Sequence, residues 1–215
     1  MDSLKVINSK TRKAYNLVAQ KYHALFQYEM QEKEYDRKLL NNFSKKFNKD
    51  AILLDAGCGP SAHIGRYIFN KGIKVIGIDI SDECVELAKK HNPQMEFKRQ
   101  DISELQFENN MFDGIISYYS IIDTPKKYVY KLFNEFRRVL RQAGYLLVVV
   151  KAGKEEGYVH ELLGIKSELY FTLFSKEEIA NYFMQAKFTL EFIEQRNPYN
   201  FEISNERIFA IGKKI

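Results

Sequence analysis

The segment Leu54-Asp-Ala-Gly-Cys-Gly-Pro-Ser61 constrains this chain more than any other. It continues an apolar run, Ala51–Ala56, that reads as a strand, and a helix over roughly 61–70 follows it. A strand that ends in Gly-x-Gly at a helix start brings backbone N–H groups and little side-chain bulk to the carboxyl edge of a parallel sheet. A nucleotide-like ligand can approach closely there. Such an edge requires strands and helices in alternation, and the sequence supplies them. Lys74–Asp79 is a second strand, closed by Ser81, which caps a helix through about Lys90. Met95–Arg99 and Phe112–Tyr118 are the third and fourth strands. Val129, Leu132, Phe133, Phe136, Val139 and Leu140 share one helical face, and Gly144 closes that helix before a strand over 145–150. Five strands in succession, three of them followed by a helix, predict an α/β fold with a doubly wound parallel sheet and right-handed crossovers.

The last quarter breaks the rhythm. After an irregular stretch, 152–174, Ser175 and Glu178 form a capping box for a helix ending near Ala186. Lys187–Gln195 and Arg207–Lys213 then read as strands with no helix between them, so they pair antiparallel. The first fifty residues contain neither Gly nor Pro, and their apolar positions repeat at helical spacing. The chain therefore divides into a helical cap or lid over 1–50 and a Rossmann-like core over 51–215, within a single compact domain.

Composition bounds the function classes. No apolar run approaches the ~20 residues of a membrane span. The opening MDSLKVINSK has no apolar signal-peptide core, and two cysteines suit a reducing compartment, so a cytoplasmic location is expected. No His/Cys/Asp/Glu cluster suggests a metal. Residues 1–50 hold 11 Lys/Arg against 6 Asp/Glu, whereas the remainder holds 22 of each. A solvated helical surface accounts for that excess, and an RNA-binding arm is the alternative.

Asp79 ends the second strand 22 residues after Gly57, the spacing that sets a carboxylate on ribose hydroxyls. Gly57-x-Gly59-x-x-Ala62 also satisfies the dinucleotide fingerprint, which keeps an NAD-binding oxidoreductase open. Three features oppose it: Asp55 just before the glycines, Asp101 after the third strand, and the closing antiparallel pair.

With these motifs, residues 12–215 resemble the class I S-adenosylmethionine-dependent methyltransferases of the small-molecule type. The resemblance implies a seven-stranded sheet of order 3-2-1-4-5-7-6 with strand seven antiparallel, and S-adenosylmethionine as cofactor. It implies that Asp55, Gly57 and Gly59 hold the methionine end, with Cys58 a small filler between the glycines rather than a nucleophile. Asp79 would meet the ribose diol, Ile80 would lie against adenine, and Asp101 and Ile102 would edge it. Ser117 would end the fourth strand beside the methyl donor, and Tyr15 and Tyr22 would sit on a helix that caps the cofactor. The implied reaction is in-line transfer of a methyl group to a small-molecule acceptor, without membrane or nucleic-acid partners.

The departures bear on the acceptor. Ser117-Tyr-Tyr-Ser120 contains no Asp/Asn-Pro-Pro-aromatic stretch and is not followed by the histidine pair common in relatives. That argues against methylation of nucleobase amines. Tyr118 and Tyr119, at the expected active-site edge, and His160, in the irregular stretch, are the candidate catalytic residues. A non-catalytic module that binds adenosylmethionine or RNA is a further alternative. Neither the acceptor nor the oligomeric state can be read from the sequence.

Overall fold

A computed structural model describes residues 2–215. The chain opens with α1 (Leu4–Phe26), whose N-cap Ser3 accepts a hydrogen bond from the Val6 N–H. A single 3-10 turn leads to α2 (Glu34–Ser44). Alternation follows: β1 (Ile52–Ala56), α3 (His63–Phe69), β2 (Lys74–Asp79), α4 (Asp82–His91), β3 (Glu96–Arg99), β4 (Phe112–Tyr118), α5 (Lys126–Val139) and β5 (Leu140–Lys151). The chain ends with a hairpin of β6 (Glu156–Leu162) and β7 (Ile165–Thr172), then α6 (Lys176–Gln185), β8 (Phe188–Arg196) and β9 (Arg207–Lys214).

The main sheet has the order β3-β2-β1-β4-β5-β9-β8. Pairing is parallel from β3 to β5, and β9 runs antiparallel to both β5 and β8. With β8 and β9 counted as strands six and seven, this is the order the resemblance implies. Successive side chains of a strand point to opposite faces, and the two cores follow that alternation. Leu54, Ile76, Ile115, Leu146 and Val148 face α5 and α6, packing with Phe133, Phe136 and Phe183. Leu53, Val75, Ile116, Leu147 and Val149 face the other way, toward Leu40 and Phe43 of α2, Ile64 and Ile68 of α3, and Val85 of α4. The capping box predicted at Ser175 and Glu178 is present.

Two sequence expectations are corrected. The stretch 152–174 is not irregular. It forms a separate two-stranded sheet, joined by Leu163 and Gly164 at φ 52° and 75°. Left-handed backbone at both central residues is the two-residue hairpin turn that follows strand twist, here built on Leu-Gly instead of the usual Asn-Gly. Nor does Gly144 cap a helix. α5 ends at Val139, and Leu140 already has extended backbone (φ −79°, ψ 136°), so Gly144 lies within β5. A Cβ at Gly144 would come within 2.8 Å of the Asp113 carbonyl oxygen, which accounts for the glycine. Among the described residues no helix is long and apolar enough to cross a membrane.

Candidate functional site

At the end of β1 the chain turns through Gly57 and Gly59, at φ 87° and 63°. The N–H groups of Gly57 and Cys58 both donate to the Ile78 carbonyl of β2, each at 2.8 Å. A Cβ on Gly57 would lie 2.3 Å from that of Ser120, in the turn after β4. Glycine at this position is thus a condition for the two turns to meet.

Asp79, at the end of β2, is only 8% exposed and accepts hydrogen bonds from the N–H groups of Gly59 and Ser81, each at 2.9 Å. Burial outweighs these donors and raises its pKa to about 6. After β3, Asp101 accepts from Ser103 N–H at 2.8 Å and from the Asn8 side-chain amide, on α1, at 2.6 Å. Asp123 follows β4; burial raises its pKa to about 7 while the Tyr15 hydroxyl opposes the shift. Tyr15 and Tyr22 lie edge-on to one another along α1, and burial raises both of their pKa values.

These groups border one cavity of about 740 Å³ at the carboxyl edge of β1, β2, β4 and β5. α1 forms one wall, and the turn at Leu162 and Leu163 and the β8–β9 loop complete the mouth. Of the residues singled out from sequence, Tyr15, Tyr22, Gly57, Gly59, Asp79, Ile80, Asp101, Ile102, Tyr118 and Tyr119 line it. The other four stand elsewhere. Asp55 is buried behind the turn, accepts from Gly65 N–H at 3.0 Å, and has its pKa raised by burial to about 7. Cys58 is buried in the core on the α2–α4 side, where its thiol is pushed to high pKa. Ser117 is fully buried and shares a 2.7 Å hydrogen bond with Ser120. His160 is exposed on β6 and is not among the residues that line the cavity, although the hairpin turn that follows it reaches the mouth.

The two tyrosines after β4 differ. The Tyr118 hydroxyl donates to the buried carboxylate of Asp36, which also pairs with Arg196 at 2.9 Å. Tyr119 takes a left-handed conformation, φ 58°, and its buried hydroxyl has no partner among the described residues. Asn8, Asp123, Lys151 and Arg207 also line the cavity and were not anticipated. Asp123 does stand five residues after the fourth strand, an acid at the expected active-site edge, which was a usable signal. Lys151 and Arg207 carried none, since they meet only through the β5–β9 pairing. Among the described residues no group of three or more His, Cys, Asp or Glu could hold a metal ion.

A family model described as a methyltransferase domain matches residues 54–148. The chain is 31% identical over 106 residues to a sterol 24-C-methyltransferase of Saccharomyces cerevisiae, an overlap of 45% of this chain and 26% of that protein. It is 29% identical over 153 residues to a phosphoethanolamine N-methyltransferase of Plasmodium falciparum, covering 69% of this chain and 56% of the relative. It therefore spans little more than half, or less, of these relatives' lengths. Among solved structures, a 1,6-didemethyltoxoflavin-N1-methyltransferase of Burkholderia thailandensis with bound S-adenosylhomocysteine superposes with a TM-score of 0.76 at 15% identity. That match covers 100% of this chain and 91% of the other, and at such identity it speaks to the fold alone. The motif-bearing segment 54–148 thus matches the methyltransferase domain family, and the whole chain has the fold of the S-adenosylmethionine-dependent methyltransferases.

Proposed function

We propose that this chain moves the methyl group of S-adenosylmethionine onto a small acceptor held in the same cavity. The observation that carries the reading is the buried Asp79 carboxylate beside the Gly57–Gly59 turn, with a second acid, Asp101, along the same edge. Two acceptor groups at the ends of adjacent strands suit a ribose diol and an adenine amine. In this reading Asp79 accepts from the ribose hydroxyls, and Asp101 accepts from the exocyclic amine. Ile80 and Ile102 flank the ring, and Tyr15 and Tyr22 close over it from α1. The Gly57–Gly59 turn takes the methionine end. Asp55, Cys58 and Ser117 act from behind the wall, holding the turn and the end of β4 in shape.

When bound, S-adenosylmethionine supplies an electrophilic methyl group with a neutral thioether as leaving group. The protein's own task is to align the acceptor, exclude water and accept a proton where the acceptor carries one. Asp123 suits the last role, because its carboxyl lines the cavity and titrates near neutrality. Among the sequence candidates Tyr119 has a free hydroxyl at the cavity, whereas that of Tyr118 is already committed to Asp36. Relatives whose names specify a sterol and phosphoethanolamine are consistent with a small acceptor. Mass spectrometry of ligand released from purified protein tests the reading. Adenosylmethionine or adenosylhomocysteine is expected, and a nicotinamide dinucleotide would overturn it.

A further inference from the structure

The acceptor end of the cavity carries positive charge and donors that lack partners. Lys151 closes β5 and is paired in register with Arg207, the first residue of β9. Two cations directly opposite one another in an antiparallel pair repel. Arg207 is 3% exposed, and its guanidinium donates to the carbonyls of Ile203 and Asn205. Its Nε lies 3.5 Å from Glu202 yet makes no hydrogen bond. Glu202 is already engaged by Arg196 at 2.7 Å and Lys33 at 3.2 Å. Among the described residues no carboxylate lies within 4 Å of the Lys151 ammonium; the acid that attracts it is Asp123, which faces Tyr15. The third donor is Tyr119. Its hydroxyl is buried without a partner, and it sits in a backbone conformation that non-glycine residues adopt at a cost. The Tyr119 N–H donates to the Val149 carbonyl, which anchors it beside the last residues of β5. Three donors without acceptors thus converge at the ends of three adjacent strands, β4, β5 and β9. A buried donor left unsatisfied is costly, so a ligand that supplies the missing acceptor gains strongly here.

The mouth above them has the opposite character. Leu25, Tyr28, Phe201 and Ile203 are large apolar residues at least half exposed (56%, 64%, 52% and 55%), and all four line the cavity. Scattered exposed apolar residues need no explanation, but four around one opening mark a surface that a ligand covers. Glu32 and the Lys33–Glu29 pair supply polar wall between the two regions.

We propose that the acceptor is an organic anion, its carboxylate-like head held by Lys151, Arg207 and Tyr119 and its apolar body lying against the mouth residues. This rests on the reading of the cavity as the site of methyl transfer. Titration calorimetry of the full chain with octanoate, octanol, octylamine and acetate tests it, with and without saturating S-adenosylhomocysteine. Octanoate should bind tighter than octanol by about tenfold or more, as expected for a charge-assisted site. Acetate should bind more weakly than octanoate for want of the apolar body, and octylamine should not compete. Lys151→Met should erase the preference for octanoate over octanol while changing the S-adenosylhomocysteine constant less than about twofold, and Tyr119→Phe should reduce the preference several-fold. Octanoate binding no tighter than octanol, or a preference that survives Lys151→Met, would overturn the proposal. Absence of adenosylhomocysteine binding with the octanoate preference intact would instead remove the cofactor reading and leave the anion site standing.

Discussion

At the residue scale, the site's energetics centre on carboxyl groups held out of water. A charged acceptor shared by two hydroxyls is worth about 1.5–3 kcal/mol, so Asp79→Ala should weaken S-adenosylmethionine binding roughly 10- to 150-fold in titration calorimetry. Because the Asp79 pKa stands at about 6, the same affinity should decline as pH falls below that value and the carboxylate gains a proton. Asp101→Asn should cost less, since a flipped amide still offers one acceptor. The loss should fall on ligands that carry the adenine amine, so the inosine analogue should bind wild type poorly; equal wild-type affinity for both forms would contradict the assignment. For stability the sign is reversed. Asp55, Asp79 and Asp123 have native pKa values of about 7, 6 and 7, all above the unfolded value of about 3.9. The native state therefore binds more protons between those limits. Their contribution makes the ligand-free protein most stable below about pH 4 and progressively less stable up to about pH 7. Asp123→Asn should accordingly raise the thermal midpoint at pH 8, with the gain vanishing by pH 4; a uniform shift at both would refute the burial account. Asp79 and Asp101 were legible in the sequence because each stands just where a strand stops. Lys151 and Arg207 were not, because 56 positions separate them and only the strand register brings them together.

At the element scale, the two N-terminal helices look alike in sequence and do different work. Both show apolar residues at helical spacing, which reports a buried face but not what buries it. α2 contributes Leu39, Leu40 and Phe43 to the core above β1 and β2. α1 instead offers Asn8, Thr11, Tyr15 and Tyr22 to the cavity wall while packing on α4 and β7. Phe43→Ala should therefore cost about 3–5 kcal/mol in denaturant unfolding and leave the adenosylhomocysteine constant of the folded protein unchanged. Deleting residues 2–26 should do the reverse, abolishing measurable cofactor binding while a cooperative melt persists. Unaltered binding in that truncation would remove α1 from the site. The β6–β7 hairpin was hidden for a related reason. Its Leu-Gly turn lacks the usual hairpin dipeptide, and its strands do not alternate cleanly, since β6 has no fully buried residue and β7 is buried only toward its end.

At the scale of the whole molecule, the α/β alternation and the antiparallel closing pair were readable, because helices recur among the early strands and none stands between the last two, whereas the strand order came from the family resemblance. The charge excess of the first fifty residues is distributed against acids of the core. Lys10 pairs with Glu168 at 3.3 Å, Arg12 with Asp82 at 2.6 Å, Lys33 with Glu202 at 3.2 Å, and Lys46 with Glu191 at 2.9 Å. Four of the eleven basic residues of this segment are thus committed to acids of the core, which leaves fewer for phosphates. Titration with a single-stranded RNA should then show only weak binding that disappears between low and physiological salt. Sub-micromolar binding at the higher salt would favour the RNA-binding alternative. The central claim, that the carboxyl edge of this sheet is built for S-adenosylmethionine, is tested most directly by parallel calorimetric titrations of the full chain with S-adenosylmethionine and with NAD. The account predicts saturable one-site binding of S-adenosylmethionine and no heat from NAD; saturable binding of NAD with none of S-adenosylmethionine would contradict it.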